Sequence, residues 1–237
     1  MEKGILYLIP SPIGDNNPQE VIPEQTLNVL LGLKYFVVEE FRTVRRYLSK
    51  CGLKGNIENL NLYELNEHTS KEVITTYLDI LLSGNDIGMI SEAGLPAVAD
   101  PGAYLVALAH EHGIKVVPLS GPSSLMMALM ASGMNGQCFA FTGYLPVKQL
   151  ERRAKLKEIE RISMQMSQSQ IIIETPYRND QLFADMLSVC LPNTKICIAA
   201  NISMPDQFIK TLRVSQWKKE NIVIGKRPCV FVLFSEK

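Results

Sequence analysis

The sequence predicts an α/β protein of two α/β domains, with a mainly parallel sheet in the amino-terminal half and a mixed sheet in the carboxyl-terminal half. Three observations carry that prediction. Short β-rich apolar runs alternate with longer helical patterns through the first half, as they do where helices cover both faces of a parallel sheet. The last strand candidates of the second half have little helix between them, which favours antiparallel pairing. Between the halves, "PLSGPSS" (118–124) breaks the pattern with Pro and Gly, so the domains are expected to span 1–118 and 119–237.

Each element of the first half has a local reason. "ILYLI" (5–9), "YFVVE" (35–39), "DIGMIS" (86–91) and "IKVVPL" (114–119) are short and mainly apolar, and read as buried strands. Helix candidates lie between them at 22–32, 42–50, 70–83 and 101–112. The third of these opens on Thr69 or Ser70 as a cap, with Glu72 in its first turn. The fourth is expected to use Asp100 as its cap and Pro101 as its first helical residue. "SGPSS" (120–124) then opens a further helix.

In the second half "QCFAFTGYLP" (137–146) precedes a charged helix candidate at 149–167. "QIIIETP" (170–176), a helix candidate at 178–190 and "KICIAANI" (195–202) follow. "QFIKTLRV" (207–214) and "CVFVLF" (229–234) complete the set of strands. No internal repeat or low-complexity tract interrupts the order.

Composition narrows the class. At 237 residues, with 46% hydrophobic and 20% charged side chains, the chain has material for a large core. Lys plus Arg equals Asp plus Glu at 24 each, so no bulk field marks a nucleic acid or anionic membrane as partner, and any basic surface must be local. The five cysteines form no Cys-x-x-Cys pair, which is the pattern of reduced thiols in a cytoplasmic protein. The apolar run before Pro10 is too short for a signal peptide, and no uninterrupted apolar segment of about twenty residues offers a membrane span. His68, His110 and His112 are too few and too poorly spaced for a metal site, and none is expected.

The loops after the strands carry the chemical signal. "LYLIPSPIGDNN" (6–17) starts like a nucleotide-binding loop, but Pro10 and Pro12 have no N–H to offer and Gly14 stands alone, so a ligand without phosphate fits better. "ISEAGLPAVADPG" (90–102) sets Glu92 and Asp100 in a loop stiffened by Gly and Pro. Such acids accept hydrogen bonds from hydroxyls or an ammonium. Loops at the carboxyl ends of parallel strands form the ligand crevice of open α/β sheets. Arg42, Arg45 and Arg46 share one helical face and offer a phosphate clamp. Arg152, Arg153, Lys155 and Lys157 make a second basic run, diluted by Glu151, Glu158 and Glu160, for which a solvated face is the default.

"LYLIPSPIGD", "VEEFR", "LNEH", "ISEAGLPAVADPG", "VVPLSGPSS", "FTGYLP" and "IIIETPYR", in this order, resemble the tetrapyrrole methylase superfamily of S-adenosylmethionine-dependent methyltransferases. Within it they are most similar to the branch that methylates a cytidine ribose 2′-hydroxyl of small-subunit ribosomal RNA. The resemblance implies a cofactor, S-adenosyl-L-methionine, folded in a cleft between two α/β domains, and a homodimer. Carried over by position, the cofactor contacts would be Ile13, Gly94, Leu95, Val98, Ser123, Ser124, Ile173 and Ala200. Glu40, Arg42 and Glu67 become candidate catalytic groups, and Glu39, Arg45, Arg46, Asn66 and Glu92 candidate substrate contacts. The implied partner is ribosomal RNA or the small ribosomal subunit.

The chain departs from that branch in places. "VEEFR" has Phe41 where a hydroxyl stands in the branch, and Leu95 takes the place of a Thr. "NISMP" (201–205) replaces a segment with both an acid and basic groups, and Arg227 and Pro228 replace a Gly-Glu pair. Two alternatives follow: a methyltransferase for a tetrapyrrole or other small molecule, and an RNA-associated relative that has lost catalysis.

Overall fold

The computed structural model describes residues 2–236 and divides into two compact units, one running to Ser123 and the other starting at Ser124. In the first unit, β1 (Ile5–Leu8), β2 (Tyr35–Val38), β3 (Asn61–Glu64), β4 (Ile87–Ile90) and β5 (Lys115–Pro118) form one sheet in the order β3-β2-β4-β1-β5. Every pairing in it is parallel. The expected mainly parallel sheet is therefore wholly parallel, and all five strands end at one edge.

The alternation of side chains across a strand builds the two faces. Leu6, Val37, Ile87 and Met89 pack with Leu78, Leu81, Leu105 and Leu108, which come from α4 (Lys71–Leu82) and α5 (Ala103–Glu111). Ile9, Phe36, Val38 and Ile90 pack on the opposite side with Leu27, Leu30, Val44, Tyr47 and Leu48. Those partners come from α2 (Glu24–Gly32) and α3 (Phe41–Leu48), and α1 (Pro18–Val21) precedes them in the chain. β4 is buried along its whole length, as its run of apolar residues requires. Fully burying a side chain the size of Phe36 or Leu81 stabilises the unit by about 1.5–3 kcal/mol.

Some details differ from the sequence expectation. β3, "NLYE", was not expected; it lies at the sheet edge with exposed ends, so its polar residues cost nothing there. The helix expected from 101 starts at Ala103, capped by Gly102 at φ 129° and not by Asp100. A side chain at Gly102 would also meet Met89 Sδ at 2.7 Å, so the turn into α5 needs glycine twice over. Leu119–Ser123, which the sequence reading gave to the second half, belongs to the first unit. Leu119 N–H donates to Leu8 O at 2.9 Å and Thr26 Oγ1 to Ser120 O at 2.8 Å. Gly121 lies so close to Pro10 that an added Cβ would stand 2.2 Å from the ring.

The second unit holds β6 (Phe139–Tyr144), β7 (Ser169–Ile173), β8 (Lys195–Ala200), β9 (Phe208–Arg213) and β10 (Cys229–Phe234) in the order β6-β7-β10-β8-β9. β6 runs parallel to β7, while β10 is antiparallel to both of its neighbours and β9 to β8. This is the expected mixed sheet. Among the described residues the unit's α-helices are α6 (Ser124–Ser132), α7 (Gln149–Met166), α8 (Asn179–Val189) and α9 (Val214–Trp217). Trp217 is fully buried, donates its indole N–H to Ile196 O at 2.9 Å and meets Phe183 edge-on at 5.4 Å.

The second basic run is partly structural. Arg152 is buried, and its guanidinium reaches Asp185 through Nε at 2.8 Å and Nη2 at 2.6 Å, with Arg153 Nε on the other oxygen at 2.6 Å. Burial alone would raise the Asp185 carboxyl, but hydrogen bonds from Arg153 and Arg152 outweigh it and hold the group below the ordinary carboxylate range. All five cysteines are free, and Cys51, Cys190, Cys197 and Cys229 are buried. Among the described residues no helix is long and apolar enough to cross a membrane.

Candidate active site

The carboxyl edge of the parallel sheet gathers most of the residues singled out in the first half of the sequence. The loop after β1 carries Ile13, the end of β2 Glu39 and Glu40, the loop after β3 Asn66 and Glu67, and the loop after β4 Glu92, Gly94, Leu95 and Val98. Ser123 closes the segment after β5, and Arg42, Arg45 and Arg46 stand on α3. Parallel strands with helical crossovers make this convergence unavoidable, because every loop on this edge leads from a strand to a helix.

Two of these loops are tied to each other. Ser11 and Gly94 exchange backbone hydrogen bonds of 2.9 and 3.1 Å in an isolated antiparallel bridge. Ser11 Oγ adds a bond to Ser91 O at 3.1 Å, and Tyr47 OH, buried, donates to Pro10 O at 2.9 Å. A Cβ at Gly94 would touch Ile13 Cγ2 at 3.5 Å, so the two residues expected at the cofactor are neighbours. Past Gly94 the loop places Ala97 and Ala99 at φ 64°, left-handed conformations that disfavour L-residues. Leu95 is half-buried, and Val98 is exposed.

Acids converge on the same edge. Glu39 Oε2 accepts the N–H of Glu92 at 2.9 Å. Burial pushes the Asp100 carboxyl up to about 6, helped by the charges of Glu39 and Glu92 and opposed by the Ser91 hydroxyl. Freed from capping α5, Asp100 instead joins a cluster of negative charge. The sequence held the loop's two acids together as hydrogen-bond acceptors, but gave no sign that Glu39 would join them.

The other candidates have more local surroundings. Glu40 caps α3: its carboxylate accepts the N–H of Arg42 at 2.9 Å and of Thr43 at 2.7 Å, together with the Thr43 hydroxyl at 2.8 Å. The bonds from Arg42 and Thr43 favour the ionised form and hold the Glu40 carboxyl below the usual carboxylate range. Asn66 closes its own turn, accepting the N–H of His68 at 2.9 Å. Glu67 is exposed, 3.5 Å from the His68 ring. Arg45 pairs with Glu58 at 3.1 Å. Arg42 and Arg46 are exposed and have no ion pair among the described residues.

A cavity of about 370 Å³ opens between the loop after β1 and α3. Arg46 and Lys50 line it, opposed by Asp15 and Glu92. Lys50 pairs with Asp15 at 2.6 Å across 35 residues of chain. Asp15 closes the first of the quoted motifs and Lys50 lies in none of them, so no motif placed the two together.

In the second unit, Ser124 is the first residue of α6. Ile173 ends β7 and Ala200 ends β8, strands that run in the same direction, so both lie on one edge of the mixed sheet. Glu174, directly after Ile173, is buried and bonded to Arg178 at 2.5 Å. The divergent "NISMP" segment folds into a turn with Asn201 and Ser203 at positive φ and Ile202 buried, and Asn201 Nδ2 bonds Asp206 at 2.7 Å. Arg227 donates to Ile224 O at 2.7 Å and lies over the Phe208 ring. These departures from the branch pattern serve the turn itself.

Comparison with known proteins points to one family. A family model described as tetrapyrrole (corrin/porphyrin) methylases matches residues 24–217. The chain is 32% identical over 212 residues to the ribosomal RNA small subunit methyltransferase I of Vibrio cholerae serotype O1, an alignment covering 90% of this chain and 69% of the relative. It is 31% identical over 238 aligned residues to the protein of the same name from Escherichia coli O157:H7, covering 99% and 79%. In fold it is similar to the uroporphyrin III C-methyltransferase of Thermus thermophilus, with a TM-score of 0.60, 16% identity and 98% of each chain covered.

Proposed function

The chain belongs to the tetrapyrrole (corrin/porphyrin) methylases and is a methyltransferase, and from that premise we propose that it takes its methyl group from S-adenosylmethionine and delivers it to a cytidine ribose 2′-hydroxyl of small-subunit ribosomal RNA. The observation that carries the acceptor is the similarity, along 90% and 99% of this chain, to two ribosomal RNA small subunit methyltransferases I.

The residues at the sheet edge fit such a donor. Pro10 and Pro12 leave the opening loop without an amide cradle for phosphate, and the donor has none. Glu39, Glu92 and Asp100 give the edge negative charge, which suits a ligand carrying a sulfonium and an ammonium. Ile13, Gly94, Leu95, Val98 and Ser123, all in the first unit, are proposed contacts with it. When bound, the donor supplies a carbon already activated by sulfonium for in-line displacement.

The protein's own task is to orient the hydroxyl and take its proton. Asp100, at about 6, has the acidity suited to that exchange near neutral pH. Arg42 and Glu67, both exposed, are proposed to meet the RNA, and Glu40 acts by holding the start of α3. A homodimer in the cytoplasm completes the reading. Exposed Phe139 and Phe141 on β6, with Met126 and Met130 on α6, support self-association through the second unit, and the free thiols support a reducing compartment.

The test is transfer of label from methyl-tritiated S-adenosylmethionine to small ribosomal subunits of a strain lacking the protein, followed by mapping of 2′-O-methylation. Label in one ribose that is unmethylated in the deletion strain is expected. Label in no ribosomal RNA, or on a base, would overturn the acceptor.

A further inference from the structure

Resting on the RNA reading above, we propose that the cavity between the loop after β1 and α3 receives a backbone phosphate of the RNA, with Arg46 as its cation and Asp15 as a competing anion that restrains Lys50. The argument starts from which polar groups in the cavity are already committed. Its hydroxyls donate within the protein: Ser11 Oγ to Ser91 O at 3.1 Å, Thr43 Oγ1 to Glu40 Oε2 at 2.8 Å, and Tyr47 OH to Pro10 O at 2.9 Å. Lys50 is held by Asp15 at 2.6 Å. The lining cation that makes no side-chain hydrogen bond or ion pair among the described residues is Arg46.

A ligand entering this space therefore meets a guanidinium as its strongest available donor. That chemistry favours a phosphate, which a planar guanidinium can bind in a two-pronged fashion. The volume of about 370 Å³ is ample for a phosphodiester with part of its sugar. Arg42 stands one helical turn before Arg46 on the same exposed face, with about 5–6 Å between Cβ atoms at such spacing. It can take the next phosphate along the strand.

Asp15 gives the cavity its restraint. It is bonded to Lys50 and feels the charge of Arg46, and both hold its carboxyl below the usual range. The pair is exposed on both sides, so an incoming phosphate can displace the Asp15 carboxylate from Lys50 at little expense. Removing the Asp15 charge should accordingly strengthen RNA binding, which a merely structural pair would not do.

The experiment measures binding of the full chain to small ribosomal subunits from a strain lacking it, across a series of salt concentrations, with thermal midpoints as a folding control. Each phosphate contact contributes about 0.7–0.9 to the slope of log K against log salt. Arg46→Ala should make the slope shallower by about that amount, and Arg46→Glu should weaken binding at least about tenfold. Asp15→Asn should tighten binding a few-fold and steepen the slope by a similar amount. Unchanged slopes in folded Arg46→Ala and Asp15→Asn proteins that still bind subunits would overturn the phosphate site and leave the RNA reading standing. A wild-type protein that binds no subunit at any salt would overturn both.

Discussion

The carboxylate of Glu39 accepts the backbone N–H of Glu92 at 2.9 Å, across 53 residues of sequence. It fastens the end of β2 to the loop after β4 and brings a second negative charge to Asp100. Burial is the larger cause of the raised Asp100 carboxyl, and sheet order adds the Glu39 charge to it, since β2 and β4 are neighbours in the sheet.

A raised acid makes stability depend on pH in a defined direction. Asp100 binds its proton more tightly folded, at about 6, than at its ordinary 3.8. Between those values the folded state holds more protons, so stability falls as pH rises from about 4 to about 6 and stays lower above that. Asp100→Asn removes the penalty. After discounting for solvent screening, it should stabilise the protein by on the order of 1 kcal/mol at pH 7 and by little at pH 4. Urea midpoints at the two pH values check this; an equal shift at both would contradict it.

Glu40 is expected to matter to α3 before it matters to chemistry. Glu40→Ala removes the cap on two N–H groups and should cost about 1 kcal/mol of stability. Glu40→Ser can still cap, and should recover most of both the thermal midpoint and the methyl-transfer rate. Full stability with no turnover in Glu40→Ser would instead place the carboxylate in the reaction.

The buried Asp185 holds two arginines in the second unit. Asp185→Ala would leave Arg152 buried without its counter-charge, a loss of about 3–5 kcal/mol. Arg153→Ala, with its side chain 38% exposed, should cost far less. Chemical denaturation compares the two, and similar losses would show that the burial of Arg152 is not what makes the pair important.

Gly121 is expected to admit no side chain. In Gly121→Ala the new methyl carbon would have to displace Pro10, and with it the loop tied to Gly94. Weakened binding of S-adenosylmethionine by calorimetry, with a lowered thermal midpoint, is the expected result. Unaltered affinity would show that the opening loop does not contact the donor.

The readable parts of this chain were those whose physics is local. β4 announced itself because a strand covered on both faces must be apolar throughout, and α4 because Ser70 and Glu72 mark its start. β3 was hidden because an edge strand can carry Asn61 and Glu64 without penalty. The candidate loops were visible through motif order, yet the state of each side chain was not. Asp100 looked like a helix cap, and only the turn at Gly102 moves the cap away from it. Lys50 and Asp15 meet through folding alone, so neither spacing nor composition could pair them.

The bridge between Ser11 and Gly94 makes the segments after β1 and β4 mechanically a single piece. Neither can be reshaped without dragging the other, so much of the ordering a guest would otherwise impose is built in during folding. Adaptation to a new acceptor is thus easier along α3, whose outward arginines can be exchanged one at a time, than in the coupled loops beneath it.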